Sequence, residues 1–159
     1  MGFTALSAIS PIDGRYSRKT ESLKQYFSEE ALIKYRLLVE IEYFIALCNS
    51  SILQLGHFPA EKFSELRKLH TDFSSKDAER IKDIEATTNH DVKAVEYFIK
   101  EKFDELGLQE FKEFIHFGLT SQDINNTAVP LSVKNAMEEN YLPHLKVLIE
   151  KLEEKINKW

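Results

Sequence analysis

Cysteine is nearly absent from this chain of 159 residues, in which Cys48 stands alone. An intrachain disulfide is therefore excluded, and a reducing compartment fits such cysteine usage. The five histidines include no pair at the spacing of two ligands on one helix face. With one thiol and no such pair, the sequence argues against a zinc cluster.

Long apolar runs and a basic stripe are also missing. The most apolar stretch, 37–47, carries Glu40 and Glu42, so it does not read as a membrane span. No positive start is joined to an apolar run, which argues against a signal peptide. The net charge of −5 argues against a nucleic-acid partner. We therefore expect a cytoplasmic protein without nucleic-acid or membrane partners.

Glycine and proline are scarce, with five and four residues, and apolar residues recur at intervals of three and four. This pattern predicts an all-α chain. Ser28 and Ser74 or Ser75 read as N-caps, and Pro59 as the first turn of a helix. A polar loop is predicted over 86–90, and a kink or break at Pro130. The helices are expected over about 29–49, from 59, from 75 or 76, and over 91–106, 111–117, 121–140 and 143–159.

The last predicted helix, from Pro143, carries its apolar residues on one face. They are Leu145, Leu148, Ile149, Leu152 and Ile156. The pattern runs up to Trp159 without a cap or a helix-breaking residue. We therefore expect that the chain has been cut there or that a partner covers this face.

Three polar clusters are candidates for a site, since neither a Gly-rich phosphate loop nor a Gly-x-Ser-x-Gly elbow occurs. The first is Asp13-Gly14-Arg15-Tyr16. The guanidinium of Arg15 suits a phosphate or carboxylate, and Tyr16 adds a hydroxyl or a stacking surface. Spacing alone favours a plainer interpretation, a turn with a solvated arginine.

The second cluster is Asn89-His90-Asp91, directly before an apolar-periodic run. Asn89 is predicted to be the N-cap of the following helix, and Asp91 suits its first turn. This capping interpretation leaves His90 unexplained. The free N–H groups of a helix start attract anions, and a histidine there can transfer a proton near neutral pH. A merely exposed loop histidine is the alternative.

The third cluster is Thr120-Ser121, followed by Gln122 and Asp123. A hydroxyl residue with an acid three positions on predicts a helix start of the capping-box type. Capping needs only one of the two hydroxyls. Gly118 allows close approach of the backbone just before them, so the arrangement also suits an anionic ligand.

Three longer segments containing these clusters, "SPIDGRY", "TTNHDVKAVEYF" and "EFIHFGLTSQDINN", resemble in order and spacing the adenylosuccinate lyases, most of all the bacterial type. That family lies within the fumarase/aspartase superfamily. The resemblance implies an all-α fold with an N-terminal helical domain, 1–118, and the beginning of a long central helical bundle, 119–159. The bundle would be truncated in this chain.

The resemblance also implies a reaction. The family releases fumarate from adenylosuccinate, leaving AMP, and from the succinylated aminoimidazole carboxamide ribotide of purine synthesis. Both are β-eliminations that need a base, an acid and donors for the aci-carboxylate formed between them. No metal or organic cofactor is required. The substrate is a small purine nucleotide, and the enzyme is a homotetramer.

Site residues follow from the resemblance in the same way. Arg15 and Tyr16 would bind the nucleotide, with Arg15 near the phosphate. His90 would support catalysis in a pocket lined also by Asn89 and Asp91. Thr120 and Ser121 would bind the succinyl carboxylate through hydroxyl and backbone N–H groups. The family's general-acid histidine and serine base belong to motifs that this sequence does not contain, so we expect the 159 residues alone to be inactive.

Two other interpretations stay open. Another superfamily lyase, such as argininosuccinate lyase, would share the fold and the Thr-Ser pair. A non-catalytic helical module that works by association would explain the missing acid and base and the apolar last helix.

Overall fold

A computed structural model describes residues 4–159 and confirms the all-α prediction, since no strand occurs in that range. Helix bounds are α1 Lys24–Phe27, α2 Glu29–Cys48, α3 Phe63–Thr71, α4 Ser75–Thr88, α5 Asp91–Glu105, α6 Ser121–Ala136 and α7 Leu142–Ile156. Short 3-10 helices cover Glu21–Leu23, Leu53–Leu55, Ala60–Lys62 and Gln109–Phe114, and a π-helical turn covers Met137–Tyr141.

The chain forms two compact units. Of the described residues, the first unit combines 4–31 with 132–159, and the second covers 32–131. Within the first, the Tyr26 hydroxyl donates to Glu139 Oε2 at 2.8 Å, and Ser132 Oγ donates to the Tyr26 carbonyl at 2.5 Å. The domain boundary expected between 118 and 119 stays a prediction.

The core of the second unit surrounds α2, and phenylalanine rings fill its centre. Phe44 meets Phe58 and Phe103 edge-on, with ring centroids 5.2 and 5.0 Å apart. Phe58 also packs against Phe63 and Phe111. Offset and edge-to-face ring pairs add specific geometry to the burial of apolar surface. The helix α5, which follows the second cluster, belongs to this core through Phe103.

Local capping explains where several helices begin. Ser28 Oγ accepts the Ala31 N–H at 3.1 Å, which confirms it as the N-cap of α2. Ser74 is the N-cap of α4 and forms a capping box with Asp77. Pro59 precedes a 3-10 turn rather than opening α3 itself. The helix predicted over 111–117 is instead 3-10 and ends at Phe114.

The expectation of a loop over 86–90 was wrong. The predicted loop 86–90 is mostly helical, because α4 continues to Thr88 while its buried Ile81 and Ile84 pack into the core. Pro130 lies inside α6 and does not break it, so of the two expected effects only a kink stays a prediction. The departure from α-helix comes later, at the π-helical turn.

The α7 helix begins as predicted, with Pro143 in its first turn. None of its residues is buried, and Leu148 and Leu152 are 54% and 53% exposed. Among the residues that the structure describes, no helix combines the length and apolar character needed to span a membrane.

Candidate functional site

The junction of α4 and α5 corrects the prediction for Asn89. This residue ends α4 in the left-handed region, with φ +52° and ψ +35°, and its N–H donates to the Glu85 carbonyl at 2.7 Å. The N-cap of α5 is His90, in an extended conformation. His90, which the capping interpretation did not explain, is therefore itself the N-cap of α5.

The ring of His90 connects two helix starts. Its Nδ1 accepts the Lys93 N–H at 3.1 Å, so in the neutral ring the proton sits on Nε2. That Nε2 lies 3.4 Å from the Ser121 hydroxyl oxygen, a long contact to the first residue of α6. The structure therefore brings together one residue from each of the second and third clusters.

The start of α6 confirms the capping prediction for Thr120. Its N–H and its hydroxyl both donate to Asp123 Oδ2, at 2.7 and 2.8 Å. The Thr120 N–H, followed by the Thr120 hydroxyl, holds the pKa of Asp123 below its usual range. With Thr120 engaged by Asp123, the hydroxyl of Ser121 faces His90 instead.

Asp91 is held by a buried arginine that the sequence analysis missed. Arg36 Nη2 donates to Asp91 Oδ2 at 2.7 Å, and Arg36 Nε donates to Asn125 Oδ1 at 2.9 Å. Asp91 Oδ1 accepts the Val92 N–H at 2.8 Å. Burial acts to raise the pKa of Asp91, but the Val92 N–H and the guanidinium outweigh it and lower that pKa.

A second buried pair anchors the segment before α6. His116 Nδ1 lies 2.5 Å from Glu40 Oε1, and the Glu40 side chain is fully buried. His116 adopts a left-handed φ of +59°, and the Tyr43 hydroxyl donates to the Phe117 carbonyl at 2.8 Å. Burial raises the pKa of Glu40, against the opposing effect of His116. The path from 115 to 119 is thus set by α2.

A signal for Arg36 and Glu40 was present in the sequence. They stand four apart within a helix that is apolar on most of its circumference. Charged residues are rarely buried without a partner. A charge inside such a helix therefore indicates a buried pair, although it does not identify the partner.

An apolar groove of about 380 Å³ lies beside the α6 start. Asp123 lines it together with Tyr43. The other lining residues are Leu38, Val39, Glu42, Leu119, Ile124, Thr127 and Leu131. It is an apolar surface next to the polar cluster.

The first cluster belongs to the other unit. Gly14 is required there, because a side chain would meet the Ala5 carbonyl oxygen at 2.7 Å. Arg15 Nη2 donates to the Tyr16 hydroxyl at 2.5 Å, and its guanidinium carbon lies 4.7 Å from the ring centroid. Both side chains are exposed, and their role in a nucleotide site stays a prediction.

The second unit thus offers the ring N–H of His90, the hydroxyl of Ser121 and the start of α6 beside each other. Such groups bind a carboxylate or phosphate and can support proton transfer. Within the range that the structure describes, no group of three histidine, cysteine or acidic side chains is placed to hold a metal ion.

Comparison with known proteins defines the class. A family model described as "Lyase" matches residues 14–159, and the chain belongs to that lyase family. Among curated proteins it is similar to the adenylosuccinate lyase of Dictyostelium discoideum, with 54% identity over 97% of this chain and 34% of that protein. The adenylosuccinate lyases of Vibrio cholerae and Escherichia coli K12 are 47% and 45% identical, each over 94% of this chain and 33% of the relative. The chain therefore spans about a third of the length of these relatives.

Proposed function

We propose that these residues form the N-terminal part of an adenylosuccinate lyase, which releases fumarate from adenylosuccinate and from the succinylated aminoimidazole carboxamide ribotide. The observation that carries the proposal is the similarity to adenylosuccinate lyases over nearly the whole chain. The meeting of His90 and Ser121 at two helix starts supports it, because both lie in the motifs of the resemblance. The enzyme would act in purine nucleotide synthesis in the cytoplasm.

The residues take distinct parts in this proposal. The start of α6, with Thr120 and Ser121, binds the succinyl carboxylate and stabilises the charge that develops there as a proton leaves the adjacent carbon. His90 donates from Nε2 beside it. Arg15 and Tyr16 bind the nucleotide and its phosphate. The base that takes the proton and the acid that protonates the departing nitrogen come from other segments.

We also propose that the intact enzyme is a homotetramer with α7 in its helical core. The exposed apolar face of α7 supports this, because a helix with such a face gains stability when partners cover it.

A chimera tests the function directly. The matched third of the Escherichia coli K12 adenylosuccinate lyase is replaced by residues 1–159, and fumarate release from adenylosuccinate is measured. We expect turnover within about tenfold of the parent enzyme. A tenfold difference corresponds to about 1.4 kcal/mol of transition-state stabilisation. The 159-residue chain by itself is expected to release none.

Two outcomes would contradict the proposal. A folded chimera that cleaves argininosuccinate but not adenylosuccinate would favour another lyase of the superfamily. A folded chimera inactive on both, together with self-assembly of the 159-residue chain, would favour an association module.

A further inference from the structure

Arg36 is the buried centre of contacts that join three helices of the second unit. Its side chain is only 6% exposed, although it carries a charge. It lies on α2, and its two partners are Asp91, the first residue of α5, and Asn125 in α6. One planar guanidinium therefore contacts both helices on which the candidate site is built.

The positions of the partners connect Arg36 to the site. Asp91 follows His90 directly, and Asn125 stands one helical turn after Ser121. These contacts form a closed loop of residues, which runs from His90 through Asp91, Arg36, Asn125 and Ser121 and returns to His90.

The distances indicate which contacts hold this closed loop of residues together. The two bonds of Arg36 are 2.7 and 2.9 Å long, and the guanidinium that donates both is buried, whereas the Asp91 side chain that accepts one of them is 46% exposed. The contact between His90 and Ser121 is 3.4 Å long, and the His90 side chain is 51% exposed. A long, exposed hydrogen bond is too weak to set the distance between two helices. The two bonds of Arg36 are shorter and charge-assisted, and they are therefore the stronger ones.

We infer that Arg36 is a positioning residue, which holds the starts of α5 and α6 at the spacing that lets His90 and Ser121 act on one ligand. Its effect on catalysis rests on the proposed function, whereas its effect on geometry does not. Lysine would not replace it, because a single ammonium group lacks the fork that reaches two partners in fixed directions.

The geometric test uses the 159-residue chain and nuclear Overhauser effects between the His90 ring protons and the Ser121 β-protons. We expect these signals in the unsubstituted chain and their loss in Arg36→Met and Asn125→Ala. Asn125→Ala removes only the α6 side of the contact, so it decides the question if Arg36→Met fails to fold.

Arg67→Met is the matched control. Arg67 also forms a two-bond pair with a carboxylate on α2, Glu42, at 2.7 and 2.8 Å, and both of these bonds go to α2 rather than to α5 or α6. The signals should survive this substitution. Their survival in Asn125→Ala, or their loss in Arg67→Met, would overturn the inference.

The kinetic test introduces the same substitutions into the chimera. Asn125→Ala is expected to lower kcat about tenfold or more while raising KM by a smaller factor, since small misplacements reduce the rate strongly. Arg67→Met should leave both unchanged. If the unsubstituted chimera is inactive while the signals behave as expected, the proposed function fails and the positioning role stands. If an active chimera keeps its kcat in Asn125→Ala, the positioning role fails and the function stands.

Discussion

Asn89 shows how one backbone conformation separates two helices. Its φ of +52° lies in the left-handed region, where a β-carbon is crowded and asparagine is better tolerated than most residues. The side chain is exposed and no longer has the capping role first assigned to it. The structural role of Asn89 depends on its φ, because the left-handed conformation ends α4 two residues before α5 begins.

Substitution at Asn89 should therefore follow conformational preference. We expect Asn89→Ala to lower the free energy of unfolding by about 1 kcal/mol, because alanine is strained in the left-handed region. Asn89→Gly should change it by less, since glycine adopts this φ freely. Urea unfolding of the two variants measures the difference. An equal loss in both would point to the side chain instead.

His90 combines a structural and a proposed chemical role, and the two can be separated. His90→Asn retains an N-cap and removes the imidazole, whereas His90→Ala removes both. In the chimera we expect both variants to lose about 10²-fold in kcat/KM, a typical loss when a group that assists proton transfer is removed. Only His90→Ala should also lose about 1 kcal/mol of stability.

Thermal unfolding alongside steady-state kinetics distinguishes these effects. If His90→Asn kept full activity, His90 would be a cap and no more.

At the scale of elements, α2 organises the site without containing a residue of the three clusters. Arg36 fixes the starts of α5 and α6, and Glu40 fixes His116 one helical turn further on. Tyr43 holds the same 115–119 segment through the Phe117 carbonyl. The two motifs are thus placed by a helix that precedes both in the chain.

Glu40 makes the stability of this arrangement depend on pH. Burial raises its pKa, His116 opposes that rise, and the nearby Glu96 adds to it. Because the folded state then binds the proton more tightly than the unfolded chain, this contribution to stability is complete below about pH 4.3, the ordinary glutamate pKa. It is lost as pH rises through the raised value.

Glu40→Gln should remove that dependence. We expect the stability of the variant relative to the unsubstituted chain to increase as pH rises from 4 to 7, because the variant has no buried carboxylate to ionise. Urea unfolding at several pH values measures this, with Glu42→Gln on the same helix as the control. The pKa of Glu42 is lowered, chiefly by its hydrogen bond with Arg67, so the control should show the opposite sign. A pH-independent difference for Glu40→Gln would contradict the assignment.

At the scale of the whole molecule, the exposed face of α7 determines the expected assembly. The double variant Leu148→Lys with Leu152→Lys should dissociate a tetrameric chimera, because it places two charges in an apolar interface. Glu150→Lys with Glu154→Lys alters charge on the polar face and should leave the tetramer intact. Light scattering measures the mass of the assembly formed by each double variant. An unchanged mass in the Leu148/Leu152 variant would show that α7 does not belong to the tetramer core.

The sequence by itself determined the fold class, most helix starts and the family motifs. Those features depend on residues within four positions of each other, as in the caps at Ser28, Ser74 and Thr120. The end of α4 was missed because Ala86–His90 reads locally as a polar loop, whereas the left-handed conformation of Asn89 ends the helix directly after Thr88. Because Asn89 is the C-cap of α4, the N-cap of α5 is His90.

Only the tertiary structure decided which polar residues meet. His90 and Ser121 are 31 positions apart, and Glu40 and His116 are 76 apart. No periodicity or cap spacing specifies such pairs, because they depend on how elements far apart in the chain pack together. The motifs name the candidate site, but the buried Arg36 and Glu40 and the half-buried Asn125 give it its geometry.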